Sequence, residues 1–226
     1  MREPVLEARS LVRSYGDTPA LRGVSVAVGA GEVVAVTGPS GSGKSTLLHC
    51  LAGILRPEAG EVHFAGTRID TLSEARRTTL RRGQFGVLFQ FGQLVPELTA
   101  AENVALPLLL DRHGRAESLT AARGWLDRFE VTDLADRRPG ELSGGQAQRV
   151  AMARALVTEP QVVFADEPTG ALDALAGERV LTALLGVARR AGTTVLLVTH
   201  DTTVAAYADR EIGLRDGAVE RADVPA

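Results

Sequence analysis

The sequence predicts an α/β fold: a mostly parallel sheet core, an antiparallel β subdomain and a helical insertion. Three observations lead there. Four short unbroken apolar runs, "VVAVTG" (33–38), "QFGVLFQ" (84–90), "QVVFADE" (161–167) and "TTVLLVTH" (193–200), have the composition of strands buried on both faces. Helical patterns over 44–53, 142–157 and 175–190 lie between them. Each run ends in polar residues, which places chemistry at the carboxyl edge of the sheet.

Taken in order, the first elements alternate. "VLEARSLV" puts Leu6, Ala8 and Val12 on one side, and "VSVAV" does the same for Val24, Val26 and Val28, as half-buried strands would. "EVHFAGTRI" repeats the pattern with Val62 and Phe64, and Gly66 marks a hairpin turn. Cys50, in "TLLHCLAG", reads as core packing. "RRTTLRR" at 76–82 reads as a solvated helix face. Over 94–140, Pro96, Pro107 and Pro139 punctuate helical stretches such as "AESLTAARGWLDRFE". This is an insertion, a helical subdomain of about 91–157 within one domain spanning 1–226.

Composition narrows the classes. A chain of 226 residues with 45% hydrophobic content suits one large α/β core. A net charge of −3 is not the global basic field of a nucleic-acid binder, so no nucleic-acid partner is expected. One cysteine excludes an intramolecular disulfide framework and fits a reducing cytosol. "MREPVLEARS" has no apolar core of a signal peptide. "VALPLLL" at 104–110 is interrupted by Pro107 and far short of the roughly 20 residues of a spanning helix. Any membrane role therefore runs through a partner.

The chemistry begins at "GPSGSGKST", residues 38–46, which fits G-x-x-x-x-G-K-[ST] between an apolar strand and a helix. Gly38, Pro39, Ser40, Gly41, Ser42 and Gly43 form a loop whose backbone curls around phosphate oxygens; Lys44 reaches the β- and γ-phosphates, and Ser45, followed by Thr46, offers a hydroxyl to Mg²⁺. The fold is then a P-loop, RecA-like core with ATP as its nucleotide. "VVFADEPTG" sets Asp166 and Glu167 at the end of a buried strand, where two carboxylates repel unless a cation lies between them. Asp166 suits Mg²⁺, and Glu167 suits the base that orients and deprotonates water. "ELSGGQAQRVAMARAL" (141–156), where Ser143, Gly144, Gly145 and Gln146 open a helix, reads either as a second anion site or simply as an N-capped helix start.

In this order the motifs resemble the nucleotide-binding subunits of ABC transporters, over essentially the whole chain. The resemblance implies Tyr15 as an adenine-stacking aromatic, Gln90 as the Q-loop contact to Mg²⁺ and water, "LSGGQ" (142–146) as the signature, "ALD" with Asp173 as the D-loop, and His200 as the residue that holds the γ-phosphate and positions Glu167. It also implies a head-to-tail homodimer in which the signature of one copy caps the γ-phosphate on the loop of the other. "LFQFGQLVPELTAAENVALPLLL" and "DEPTGALD" look most like the lipoprotein-release and macrolide-exporter group, whose partners are FtsX-like membrane permeases; Gly92 and Ala147 depart from the commonest pattern. The place implied is cytoplasmic, on the inner face of the membrane through the permease. The output is cargo extrusion or, as in the cell-division relatives, regulation of an extracytoplasmic partner. Soluble relatives acting on DNA or ribosomes carry coiled coils or two cassettes, and this sequence has neither. Phe91, Leu94, Val95 and Leu98 either line a groove for the permease or pack the insertion's own core.

Overall fold

The computed structural model describes residues 4–89, 93–170 and 172–222; Gln90, Phe91, Gly92 and Ala171 lie outside the described residues. The chain starts with β1 (Pro4–Tyr15), β2 (Thr18–Gly29), β3 (Val33–Thr37), α1 (Lys44–Leu51), β4 (Ala59–Phe64), β5 (Thr67–Arg68), α2 (Glu74–Gln84) and β6 (Phe85–Leu88). A helical stretch follows, with α3 (Ala100–Leu110), α4 (Arg115–Arg128) and α5 (Gly144–Leu156). The last part is β7 (Val162–Asp166), α6 (Ala174–Ala191), β8 (Thr194–Val198), the single turn α7 (Thr202–Ala205), β9 (Arg210–Arg215) and β10 (Ala218–Ala222).

Two sheets result. β2, β1, β4 and β5 pair antiparallel in that spatial order, and a six-stranded sheet runs β10-β9-β3-β8-β7-β6. All its pairings are parallel except the β9–β10 hairpin. Successive side chains on a strand point to opposite faces, and here both faces are covered. Val33, Val163, Val195 and Leu197 enter a core shared with α3, α4, α5 and α6. Val34, Val36, Phe164, Leu196 and Val198 enter a second core with α1 and the antiparallel sheet. Phe64, Phe85 and Phe164 meet edge-on there, at centroid distances of 4.8 and 5.2 Å. Each such side chain contributes about 1.5–3 kcal/mol when fully buried.

Three expectations need correction. In β1, Ala8 pairs with Val26 but Leu11 pairs with Val24, so one extra residue is looped into the strand. Ser10, at φ 50°, is that bulge, and its N–H donates to Ser25 Oγ at 2.8 Å. The bulge shifts the alternation, so Leu11 is buried and Val12 only half-buried. In 76–82 the arginines are not simply a solvated face. Arg77 is 5% exposed, and with Arg81 it donates to the Gly53 carbonyl, at 3.3 and 2.6 Å, just past the end of α1. Arg82 reaches Asp111 at 2.9 Å. Third, Pro107 does not interrupt the helix: α3 runs through it to Leu110, with the Asp111 N–H bonded to the Pro107 carbonyl at 3.1 Å. Among the described residues no helix is long and apolar enough to cross a membrane. The β9–β10 hairpin lies outside the sequence reading above, although "DG" at 216–217 between apolar-alternating stretches is a hairpin signal.

The insertion is pinned by a polar side chain. Asn103, on α3 and fully buried, accepts from the Val95 N–H at 2.7 Å and donates to the carbonyls of Val95, Leu98 and Thr99 at 3.0–3.1 Å. Leu94 packs against the helical core beside it. Truncating a buried, fully bonded amide leaves backbone groups without partners, at about 1–3 kcal/mol. Asn103→Ala is expected to lower stability by about 2–3 kcal/mol in urea unfolding; a loss under about 0.5 kcal/mol would mean the loop does not depend on this amide.

Candidate functional site

β3 delivers the chain into the glycine loop. Gly38 sits at φ 144°, and a Cβ there would stand 2.0 Å from the Leu214 carbonyl oxygen of β9. Gly43 sits at φ 101°, and a Cβ there would stand 2.3 Å from the Ala20 carbonyl oxygen of β2. Bare backbone is thus required where the loop passes between two other strands. Pro39, Ser40 and Gly41 form its exposed crest, Ser42 is buried, and Thr46 is half-buried in the first turn of α1. Lys44, the first residue of α1, is 8% exposed. Its Nζ donates to the carbonyls of Gly38 and Pro39 at 2.8 and 2.9 Å, which fastens the ammonium across the loop and leaves one of three N–H donors for a ligand.

The acids stand opposite. Ser45 Oγ donates to Asp166 Oδ1 at 3.1 Å, joining the loop to the end of β7. Burial pushes the Asp166 carboxyl above its ordinary value, and the Glu167 charge pushes the same way; the Ser45 hydrogen bond, His49 and Lys44 oppose them. An oxygen donor set of one hydroxyl and one carboxylate, with that carboxylate short of compensating charge, fits a Mg²⁺ ion; Ser45 and Asp166 would hold it. Glu167 follows at φ 46°, a left-handed conformation costing a non-glycine residue about 1–3 kcal/mol. Its N–H is held by the Val198 carbonyl at 2.9 Å. Its Oε1 lies 2.7 Å from His200 Nδ1, and Oε2 accepts from Thr199 Oγ1 at 3.4 Å. Thr199 has no motif of its own in the sequence, yet it is 1% exposed and faces the carboxylate.

The structure therefore brings together Lys44, Ser45, Asp166, Glu167 and His200. It sets Ser143–Gln146 elsewhere. Ser143 caps α5, its Oγ accepting from the Gln146 N–H at 3.3 Å while Gln146 Oε1 accepts from the Ser143 N–H at 2.9 Å. Gly144 and Gly145 lie between them; a Cβ on Gly145 would be 4.0 Å from Leu172 and Ala176, beside the segment of Asp173. Asp173 is exposed and caps α6 through the Ala176 N–H at 2.9 Å. Among the described residues no hydrogen bond or ion pair joins 142–146 to 38–46. Sequence reasoning missed Gln148, which is 4% exposed and donates to the Pro168 carbonyl at 2.8 Å, tying α5 to the loop after the acids. Tyr15 is 51% exposed at the end of β1, with the Arg13 guanidinium 5.5 Å from its ring centre. Gln90 lies outside the described residues. Among those described, no three or more His, Cys, Asp and Glu residues gather as a metal site built from these residues alone.

Because the Asp166 shift is upward, this carboxyl's contribution to stability is fully present below its unfolded value of 3.8 and is lost as pH rises through its folded value. Asp166→Asn keeps an acceptor for Ser45 and removes the charge. In nucleotide- and Mg²⁺-free protein, the thermal midpoint of the variant should exceed that of the parent by a margin that grows from about pH 4 to pH 7. A margin independent of pH would show that Asp166 ionises without cost.

A family model described as ABC transporter matches residues 21–170, more than half of the chain. The chain is 44% identical to the lipoprotein-releasing system ATP-binding protein LolD 2 of Caulobacter vibrioides, over 97% of this chain and 98% of that one. It is 40% identical to LolD of Porphyromonas gingivalis, covering 94% and 97%. Among solved structures it matches a dimeric ATP-binding cassette in a post-hydrolysis state bound to ADP and Pi, with TM-score 0.91, 38% identity and coverage of 98% and 99%. The chain belongs to the ABC transporter family, as one of its ATP-binding, ATP-hydrolysing cassettes.

Proposed function

We propose that this cassette hydrolyses ATP in sites shared between two copies packed head to tail, and so drives an FtsX-like membrane permease of the lipoprotein-release type from the inner face of the membrane. The observation that carries the shared site is electrostatic. Among the seven described α-helices, α2, α3 and α4 have a glutamate in the first turn, and α6 and α7 have an aspartate cap. Only α1 and α5 have neither; their caps are Gly43 and Ser143. Their positive ends are left uncompensated by sequence, and both have the chemistry of a phosphate site. One sits in the cluster of Lys44 and the acids, the other outside it. A second copy reunites them. The solved relative being a dimer supports the same reading.

On this reading the whole chain 1–226 acts as one ATPase domain, with its helical subdomain at about 91–157. The loop 38–46 binds the phosphates, Tyr15 stacks on adenine, and Asp173 and residues 143–146 reach the partner copy's nucleotide. Ser45 and Asp166, joined by Gln90 as the resemblance implies, would hold Mg²⁺, which when bound would offset phosphate charge. Glu167 takes the proton of the attacking water. Thr199 fixes its carboxylate, and the single N–H of a neutral His200 goes either to that carboxylate or to the γ-phosphate. A groove of about 500 Å³ between α2, β6 and α3, lined by Ile54, Phe85, Val87, Phe89, Leu106 and Leu110, is where the permease docks. Leu110, 59% exposed at its rim, supports that placement.

Glu167→Gln is expected to bind ATP like the parent, to lose at least about 100-fold in turnover, and to accumulate as a nucleotide-bound dimer on gel filtration. Normal hydrolysis by that variant would assign the base elsewhere. For the shared site, Lys44→Ala and Ser143→Arg chains are each inactive, but mixing them should restore turnover to roughly a quarter of the parent, since half the dimers are mixed and hold one intact site. A mixture no more active than its components would count against sharing.

A further inference from the structure

The phosphate loop is braced from behind by a turn that no motif includes. β9 and β10 are joined by Asp216 and Gly217, at φ 47° and 77°, with Arg215 paired to Ala218 across them. Gly217 is bonded on both sides: its N–H donates to the Ser42 carbonyl at 3.1 Å, and its carbonyl accepts from the Arg22 N–H at 2.7 Å. Ser42 is 3% exposed and its hydroxyl has no hydrogen-bond partner, so the side chain does not anchor this part of the loop. The main chain does. In a trans peptide the C=O and the following N–H point in opposite directions. Fixing the Ser42 carbonyl toward the turn therefore aims the Gly43 N–H away from it, and keeps a repulsive carbonyl off the opposite side. The Ala20 carbonyl, pressed against Gly43, blocks the loop from rotating back.

We propose that Gly217 is a positioning residue for phosphate binding, acting through Ser42 to aim the Gly43 amide at a phosphate shared by ATP and ADP. The proposal rests on the reading of 38–46 as the nucleotide loop. It assigns Gly217 a side-chain requirement of its own: a Cβ there would meet the Ala20 carbonyl oxygen at 2.9 Å and Arg22 Cγ at 3.3 Å, so an alanine must push the turn off β2 and its N–H off Ser42.

A matched control exists in the same molecule. The β4–β5 turn has Ala65 and Gly66 at φ 47° and 75°, nearly the dihedrals of the Asp216–Gly217 turn, but a Cβ on Gly66 meets nothing within 4 Å. Gly217→Ala and Gly66→Ala thus share the same left-handed strain and differ in the brace. Dissociation constants for ATP and ADP, with turnover at saturating ATP, are measured for both variants, the parent and Lys44→Ala. Gly217→Ala should weaken ATP and ADP equally, by about tenfold, and leave turnover within about twofold, because the contact is the same in ground and transition states. Gly66→Ala should leave both constants within about twofold. Parent-like affinity in a folded Gly217→Ala chain, with binding lost in Lys44→Ala, overturns the brace alone; parent-like affinity in Lys44→Ala overturns the loop reading beneath it. Should Gly217→Ala not fold, hydrogen exchange on the parent decides: added ADP should slow exchange across 214–219 and not across 64–67, and equal behaviour of the two turns overturns the proposal.

Discussion

The register of three parallel strands is the constraint on which the site depends. Val36 of β3, Val198 of β8 and Asp166 of β7 lie in one row across the sheet. The glycine loop after β3, Thr199–His200 and Glu167 therefore leave the sheet side by side. Their contacts follow from that row: Ser45 to Asp166, Glu167 N–H to the Val198 carbonyl, and His200 to Glu167. A slip of one residue would turn each strand's apolar set to the opposite core and separate these groups at once. Val33, Val163 and Val195 on one face and Val34, Phe164 and Leu196 on the other resist it, because every one of them is fully buried.

That rigidity supports groups that are unfavourable by themselves. Asp166 is desolvated beside another carboxylate, Glu167 stands in a left-handed backbone conformation, and the first turn of α1 contains no acidic residue. Each is a cost to the empty protein that a bound phosphate and cation would offset, so ligand binding and folding stability are coupled through the same atoms. Lys44 spends two of its donors on the loop's own carbonyls, and Arg77 and Arg81 serve the Gly53 carbonyl beyond the far end of α1.

Much of this was legible in the residues. Continuous apolar runs gave β3, β6, β7 and β8 to within a residue or two, because strands buried on both faces tolerate no polar interruption until they end. The loop, the acid pair and the helix cap at Ser143 were legible because each needs particular residues at fixed spacing. What stayed hidden acts through backbone or across long sequence separations. The bulge at Ser10 turns on a φ angle and a bond to Ser25, so alternation alone misplaced Val12. Arg77 reads as a surface charge until a carbonyl 24 residues away is seen beside it. Gln148 and Thr199, polar residues in apolar surroundings, have no spacing rule to announce them. Pro107 misleads for a different reason: in the last turn of a helix its missing N–H removes only the bond to one carbonyl, and packing of α3 against α4 and α5 outweighs it.

In the proposed dimer, the capping box on α5 suits residues 143–146 to another molecule's nucleotide. Ser143 and Gln146 satisfy each other's N–H groups, which leaves the helix without need of a local ligand and stable with its glycine end exposed. The amides of Gly144 and Gly145 have no acceptor within the helix, and the first turn has no acid to neutralise them. A positive end that is structurally complete yet electrostatically unspent can wait for a phosphate to arrive on a separate body. Gln148, bonded to the Pro168 carbonyl two residues after Asp166, ties the same helix to the acid loop of its own chain. In the proposed dimer, this bond links the helix that meets one nucleotide to the acids beside the other.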